Sequence, residues 1–341
     1  MAITGHTGFK GSWLTFWLAR RGATVSGYSL KPNTEPSLFE QLDLSEIAQT
    51  RIGDIRDRFV VQSWLREVKP DVVFHLAAQP LVLPSYHHPH DTWMVNVVGT
   101  INLLEGLRNL DQKCAVVVVT SDKVYQQIGG TKRFLETDQL GGRDPYSSSK
   151  AAVELAVSSW RDSFFSADSA IRIATARAGN VLGGGDWARH RVIPDLVRAL
   201  ISQKTLQVRK PSAIRPWQHV LDPLAGYIRL AEKLFSESGE ELASAFNFGP
   251  DVSQRISVQQ LIEVATSHWS GQWQVTEDNQ KELEEQELCL SSTKAKKLLG
   301  WESKWSFEKT ILETIAWYRA MHSGTSARDL CDSQLKKYWE A

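Results

Sequence analysis

Thr4-Gly5-His6-Thr7-Gly8-Phe9-Lys10-Gly11 is the stretch whose reading decides the fold. Its glycines recur every three residues between a short apolar run and a helical pattern. Glycine permits a tight turn and lets the backbone approach a pyrophosphate, while the following helix aims free N–H groups and its positive dipole end at the anion. The same residues also suit an ordinary glycine turn. A P-loop is excluded, because Lys10 is followed by Gly11 where that motif needs Ser or Thr. Working outward, β-branched runs predict strands at Ala2–Thr4, Thr24–Tyr28, Thr50–Gly53, Val72–His75, Ala115–Thr120 and Ile171–Thr175. Apolar spacings of three and four predict helices over Phe9–Arg21, Asp57–Val68, Thr92–Asn109 and Ser147–Phe165. This βαβ rhythm reads as an α/β, doubly wound parallel sheet of the Rossmann type over residues 1–180, completed by about 213–248. The rhythm loosens after Asn180, and a smaller mixed substrate-binding unit is expected over 181–212 and 249–341. Only Met1-Ala2-Ile3 precede the glycine turn, fewer than the roughly five or six residues of an ordinary strand, so further residues are expected ahead of Met1.

The chain has 341 residues, with 39 Lys and Arg against 39 Asp and Glu. A neutral balance removes the global attraction to polyanions that nucleic-acid and membrane-surface binders use, so any anion site is local. No apolar run approaches the roughly 18 residues of a membrane span, and no signal-peptide pattern opens the chain, which reads as cytoplasmic. Cys114, Cys289 and Cys331 are too scattered for a disulfide framework or a zinc site. The 13 Trp suit core packing for the most part, with a carbohydrate or base platform as the alternative. Lys281–Glu287 reads as a solvated charged face, and Tyr86-His87-His88-Pro89-His90 as a loop entering the next helix rather than a metal site, since no Cys or carboxylate stands at ligand spacing.

The second strand ends in Tyr28-Ser29-Leu30-Lys31, without the acidic residue that usually takes a ribose 2′-hydroxyl, so NAD and NADP are not separated there. Asp54 suits either an adenosine contact or, like Asp57, a helix cap. Tyr146 and Lys150 stand four apart on one helix face. A tyrosine becomes a base when a nearby ammonium stabilises its phenolate. The pair follows the strand that ends in Thr120-Ser121-Asp122-Lys123, and strand ends form the ligand crevice of such a sheet. Ser121, Asp122, Lys123, Tyr146 and Lys150 then make an acid–base set. Capping for Ser121-Asp122 and solvent exposure for Lys123 are the plain alternatives.

With Asn96 in Asn96-Val97-Val98-Gly99-Thr100, the glycine loop and the Ser121, Tyr146, Lys150 triad resemble the extended short-chain dehydrogenase/reductase superfamily. Gly5-His6-Thr7-Gly8-Phe9-Lys10-Gly11-Ser12-Trp13, Ser121-Asp122-Lys123, Ala176–Trp187 and Arg215–Val220 narrow the resemblance to its CDP-glucose 4,6-dehydratase family. Related dTDP-glucose dehydratases carry Asp-Glu where this sequence has Asp122-Lys123. Val124 and Gln126-Gln127 depart from the branch's pattern without removing a catalytic group.

The resemblance implies an NAD cofactor held by Gly5, Thr7, Gly8, Phe9, Gly11, Asp54, Ile55, Leu76, Ala77, Ala78, Gln79, Asn96, Tyr146 and Lys150. It implies that Tyr146, assisted by Ser121, takes the sugar 4-hydroxyl proton as hydride leaves C4. Lys123 is then the base at C5 and Asp122 the acid at C6, with His6 as the fallback base. Lys204, Arg209, Lys210 and Arg215 gather cations for a diphosphate, Arg209 and Arg215 being the chosen substrate contacts, and Asn180 is a further contact by resemblance. A homo-oligomer, dimer or dimer of dimers, is expected through the helices at Thr92–Asn109 and Ser147–Phe165. An epimerase or a non-catalytic NAD-binding regulator are the rival functions.

Overall fold

Along the parallel strands, successive apolar side chains turn to opposite sides, and this alternation divides the core into two layers. The computed structural model describes residues 1–127, 133–166, 169–236, 239–250, 255–276 and 289–341; Lys281–Glu287 lies outside them. The main sheet has strands β1 (Ala2–Thr4), β2 (Ser26–Ser29), β3 (Gln49–Ile52), β4 (Val72–His75), β5 (Cys114–Val119), β6 (Ile171–Ala178) and β7 (Ala245–Phe248). They lie in the order β7-β6-β5-β4-β1-β2-β3, every neighbouring pair parallel. This is the doubly wound arrangement, with its switch point between β1 and β4.

Helices α1 (Phe9–Arg20), α2 (Arg58–Val68), α3 (Gly99–Leu107), α4 (Pro145–Phe164), α5 (Leu221–Phe235), α6 (Phe307–His322) and α7 (Ala327–Glu340) cover the sheet. Val117, Val119, Ala174 and Ala176 pack into the layer that holds α1, α5, α6 and α7. Val116, Val118, Ile171 and Ile173 pack into the layer of α2, α3 and α4. The C-terminal helices share the first layer's core with α1: the indole of Trp17 meets the ring of Tyr338, and Arg20 pairs with Asp332 at 2.7 Å. Short parallel pairs complete the smaller unit, Val181–Leu182 with Gln218–His219 and Leu206–Val208 with Trp273–Val275.

Element boundaries shift for identifiable reasons. β6 runs three residues beyond the expected Thr175 because β7 pairs with Thr175 through Ala178 and supplies their backbone partners. The expected helix over Thr92–Asn109 is a helical run from Pro89 through Leu107, interrupted by a π turn at Met94–Val98. Asp57 caps α2, accepting from Val60 N at 3.2 Å. Eight of the tryptophans, Trp13, Trp17, Trp64, Trp187, Trp217, Trp301, Trp305 and Trp317, are buried. No helix among the described residues is long and apolar enough to cross a membrane.

Candidate active site

The C-terminal ends of the strands open into a cleft of about 600 Å3, and the sequence at each strand end explains what stands there. After β1 the chain turns at Gly5, whose φ of +75° and approach to the end of the neighbouring β4 exclude a side chain: a Cβ there would lie 2.6 Å from Ala77 N. A Cβ on Gly11 would lie 2.1 Å from Gly5 O, so this glycine lets α1 pack on the loop. Gly8 is exposed, and it begins α1 with no side-chain cap on the helix's first N–H groups. Free N–H groups at an exposed glycine turn suit an anionic group. Thr7, Phe9, Ile55, Leu76, Ala77 and Ala78 line the same wall. At the end of β2, the Thr7 and Ser29 hydroxyls bond each other at 2.7 Å, and exposed Lys31 borders the cleft. Asp54 also borders it, bound to Arg56 at 2.6 Å, and that guanidinium lowers its carboxyl pKa.

Asp144-Pro145 starts the helix that carries Tyr146 and Lys150. Asp144 accepts from Ser147 N at 2.9 Å as the N-cap and Pro145 takes the first helical position, which sets Tyr146 and, one turn on, Lys150 against the end of β5. The Lys150 ammonium donates to Val119 O at 3.3 Å, and burial lowers its pKa to about 8. Burial pushes the Tyr146 phenol up to about 12; a hydrogen bond with Ser121 and the charge of Arg191 oppose this. The expectation that Lys150 acidifies Tyr146 therefore meets a different electrostatic arrangement, because desolvation dominates and the nearby cation that lowers the phenol is Arg191.

After β5, Ser121 caps a single 3-10 turn. Its hydroxyl accepts from Lys123 N at 3.2 Å and donates to Asp122 Oδ1 at 3.0 Å. Asp122 is 4% exposed, and its Oδ2 has no hydrogen-bond partner among the described residues. Burial raises its pKa against the opposing charges of Lys123, Arg215 and Lys10. Gly179 gives this carboxylate its room, since a Cβ there would stand 2.9 Å from Asp122 Oδ2 and from Pro216. Lys123 and Asn180 line the same cleft.

Of the four expected cations, Arg209, Lys210 and Arg215 line the cleft while Lys204 is exposed outside it. Arg215 is nearly buried and donates to the Ile214 carbonyl at 2.8 Å. Asn96 and Gln79 stand behind the wall rather than on it. Asn96 accepts from Gln79 N at 2.8 Å and donates to the Ser149 hydroxyl at 2.9 Å, tying the end of β4 to α4. His6 is displaced from its fallback role: its ring lies over Gly27 beside Thr50, edge-on to Phe39, and burial lowers its pKa to about 4. His87, His88 and His90 are exposed, and Val82–His87 is itself a short helix rather than a loop.

Two cleft residues had no function in the sequence reading. Arg191 is paired with Asp186 at 2.8 Å and stands close enough to Tyr146 to bias its charge. Lys10, in the first turn of α1, shares the field of Asp122, Arg191, Lys150 and Asp186, and its pKa falls to about 8, chiefly through burial. A lysine in a helix's first turn opposes the dipole, and that was the signal available in the sequence.

A family model described as GDP-mannose 4,6 dehydratase matches residues 2–314. The chain is 40% identical to the CDP-glucose 4,6-dehydratase of Salmonella typhimurium over 99% of this chain and 96% of that protein. It is 26% identical to a dTDP-glucose 4,6-dehydratase of Xanthomonas campestris over 93% of this chain and 92% of that one. A dTDP-glucose 4,6-dehydratase of Streptomyces venezuelae, solved with NAD bound, superposes with a TM-score of 0.81 at 22% identity, over 94% of this chain and 97% of that one. A UDP-glucose 4-epimerase of Thermotoga maritima, solved with UDP-glucose, has the same TM-score of 0.81 at 21% identity, over 94% and 98%. The likeness to the two solved structures establishes the fold, and the longer sequence matches establish the kinship: the chain belongs to the GDP-mannose 4,6 dehydratase family, on its CDP-glucose 4,6-dehydratase branch.

Proposed function

We infer that this protein is a CDP-glucose 4,6-dehydratase, forming CDP-4-keto-6-deoxyglucose by oxidation at C4, loss of water across C5 and C6, and return of hydride to C6. The observation that carries this reading is Asp122, buried beside Ser121 and Tyr146 with one carboxylate oxygen unpartnered. An epimerase needs only the oxidation set of Ser121, Tyr146 and Lys150. A carboxyl with a raised pKa at that place is suited to protonating a leaving hydroxyl.

NAD, when bound, accepts hydride from C4 and gives it back to C6. Gly5, Thr7, Gly8, Phe9 and Gly11 would hold its pyrophosphate side, Asp54 and Ile55 the adenosine side, and Leu76, Ala77 and Ala78 the wall beneath. Lys150 would fix the nicotinamide ribose. Tyr146 and Ser121 would then meet the sugar 4-hydroxyl, Lys123 the C5 hydrogen and Asp122 the C6 hydroxyl. Asn180, Arg209 and Arg215 would take the nucleotide and its diphosphate, Arg by charge-assisted hydrogen bonds. Asn96 is assigned the positioning of α4 and the β4 end rather than direct contact with NAD. A homodimer through the α3 and α4 region is in keeping with the Trp160 indole bonded to Glu105 at 3.1 Å, which packs the two helices side by side.

Incubation with CDP-, dTDP-, UDP- and GDP-sugars followed by mass spectrometry tests the assignment. CDP-glucose should lose one water with no net consumption of NAD. A product of unchanged mass would make the protein an epimerase, and no product from any sugar would remove the catalytic reading.

A further inference from the structure

Beyond the end of β4, Pro80, Leu81, Val82, Leu83 and Pro84 give the cleft an apolar stretch of wall. The two polar residues that bound this stretch, Gln79 and Ser85, stand behind it and bind backbone.

At the Gln79 end two carboxamides act in series. The Asn96 side chain accepts from Gln79 N at 2.8 Å and donates to Gln79 O at 3.2 Å. The Gln79 side chain does the same to Leu81, accepting from its N–H at 2.7 Å and donating to its carbonyl at 2.9 Å. Each amide nitrogen gives its other N–H to a hydroxyl, Gln79 to Thr92 at 3.0 Å and Asn96 to Ser149 at 2.9 Å. A primary amide has two donors, and all four are used here, so neither group is free to turn.

At the other end the fully buried Ser85 hydroxyl donates to Val82 O at 2.6 Å and accepts from Tyr146 N at 3.2 Å. Tyr146 N is among the N–H groups that a helix leaves without an internal partner at its start. Asp144 caps Ser147 N, and the Tyr146 N–H is met instead by a residue 61 positions earlier. The Tyr146 carbonyl is held too: Ser149 donates to it at 2.7 Å, and Ser149 is the hydroxyl to which Asn96 is bonded. Both ends of the wall are thus fastened to the backbone of Tyr146.

We propose, on the dehydratase reading, that Ser85 and Gln79 are positioning residues for C4 oxidation: they lock the Pro80–Pro84 wall to Tyr146, so that a sugar seated against the wall presents its 4-hydroxyl to the phenol. A pyranose ring carries C–H groups on its faces, which suit an apolar wall and leave the hydroxyls to polar groups. The distance from wall to phenol then sets the reaction geometry. A misplacement of about 1 Å costs such a step roughly a hundredfold without removing a contact that holds the substrate. The nucleotide and its diphosphate are assigned to Asn180, Arg209 and Arg215, so affinity and alignment belong to different parts of the cleft and can be separated.

The test follows bound NADH in a single turnover at saturating CDP-glucose, with NAD occupancy, CDP-glucose affinity and melting temperature measured on the same enzyme. Ser85→Ala and Gln79→Ala should each slow NADH formation by roughly a hundredfold, while affinity stays within about twofold and kcat falls at constant KM. Ser85→Thr, which keeps the hydroxyl, should recover most of the rate. Gln79→Glu, which keeps the acceptor for Leu81 N but loses both donors, should not. Because both ties fasten one wall to one residue, the Ser85→Ala, Gln79→Ala double variant should lose less than the product of the single effects. If Ser85→Ala fails to fold, the Gln79 variants decide by the same split of rate from affinity. An unchanged oxidation rate at saturating substrate, or a loss that only follows affinity and melting temperature, overturns the proposal, and so does a Ser85→Thr variant as slow as Ser85→Ala. Failure of the dehydratase reading shows separately, as wild-type enzyme that yields no dehydrated product.

Discussion

Two buried carboxylates flank the end of β5, and they are bonded on opposite terms. Glu154, two turns along α4 from Tyr146, accepts from Thr120 Oγ1 at 2.5 Å, Thr175 Oγ1 at 2.7 Å and Arg177 Nη2 at 2.7 Å. Arg177 also donates to the Tyr125 hydroxyl at 2.8 Å, which donates in turn to Asn247 Oδ1 at 2.7 Å. This network stitches α4, β5, β6 and β7 together. Asp122 is as deeply buried as Glu154, yet among the described residues it accepts only the Ser121 hydroxyl and has no ion pair of that quality. A saturated carboxylate is scaffold, and one left short of partners is kept ready for something that arrives. The contrast separates structure from chemistry around one strand end, and mutations on either side should divide the same way.

The largest expected effect lies on the open side. Tyr146→Phe should cut substrate-driven NAD reduction by up to about 10⁴-fold, roughly 5.5 kcal/mol in barrier, because it removes a proton carrier from the transition state. Sugar-nucleotide affinity by calorimetric titration should change little, and so should the melting temperature. A Tyr146→Phe variant that unfolds, or that turns over normally, would erase the distinction.

The closed side should fail in the other manner. Glu154→Ala leaves the Arg177 guanidinium buried without its carboxylate, a loss of about 3–5 kcal/mol in folding free energy. Urea denaturation followed by circular dichroism measures it, and folded protein below the transition should retain NAD binding. A change within about 0.5 kcal/mol, ordinary for a surface site, would show that the network does not carry the fold here.

The open side was far more legible in the sequence than the closed one. Gly5, Gly8 and Gly11, the spacing of Tyr146 and Lys150, and Ser121-Asp122-Lys123 at a strand end all mark themselves by local pattern, and the fold brings them to one cleft. Glu154, Arg177, Tyr125 and Asn247 carry no local signature, since their pairing depends on β6 and β7 meeting at long range. The same limit explains Asn96 and Gln79: a residue type near a strand end suggests a ligand contact, but only the assembled wall shows that they bond each other. His6 failed as a fallback base because the turn at Gly5 sends its ring toward β2, a direction that no spacing rule encodes.

A smaller effect belongs to the substrate end. Arg215→Ala should weaken CDP-glucose binding by about 1.5–3 kcal/mol, the range for a hydrogen bond to a charged group, with NAD retention unaffected. Titration calorimetry against CDP-glucose and against CDP tells which part of the ligand Arg215 meets. Equal affinity for both in wild type and variant would assign the diphosphate to Arg209 and Lys210 instead.

The smallest effect is also the one with an unusual sign. Burial raises the Asp122 pKa above its ordinary 3.8, and this outweighs the lowering by Lys123, Ser121, Arg215 and Lys10. A carboxyl whose folded pKa is raised contributes stability that is complete below the unfolded value and is lost as pH rises through the folded one. Once the pH has risen past its folded pKa, wild-type protein therefore bears the cost of an ionised, under-bonded carboxylate. Asp122→Asn keeps the shape and removes the charge, so it should stabilise the fold at pH 8 by ~1 kcal/mol, about 2 °C in melting temperature. At pH 4, where wild type approaches its own neutral form, the two melting temperatures should converge. Glu154→Gln gives the reverse outcome, a loss at pH 8, because its charge is matched by Arg177. A stabilised but inactive Asp122→Asn would mean that the carboxylate is held against the interest of the fold. Should Asp122→Asn instead melt lower at pH 8, the nearby cations outweigh the burial, and Asp122 belongs with the scaffold after all.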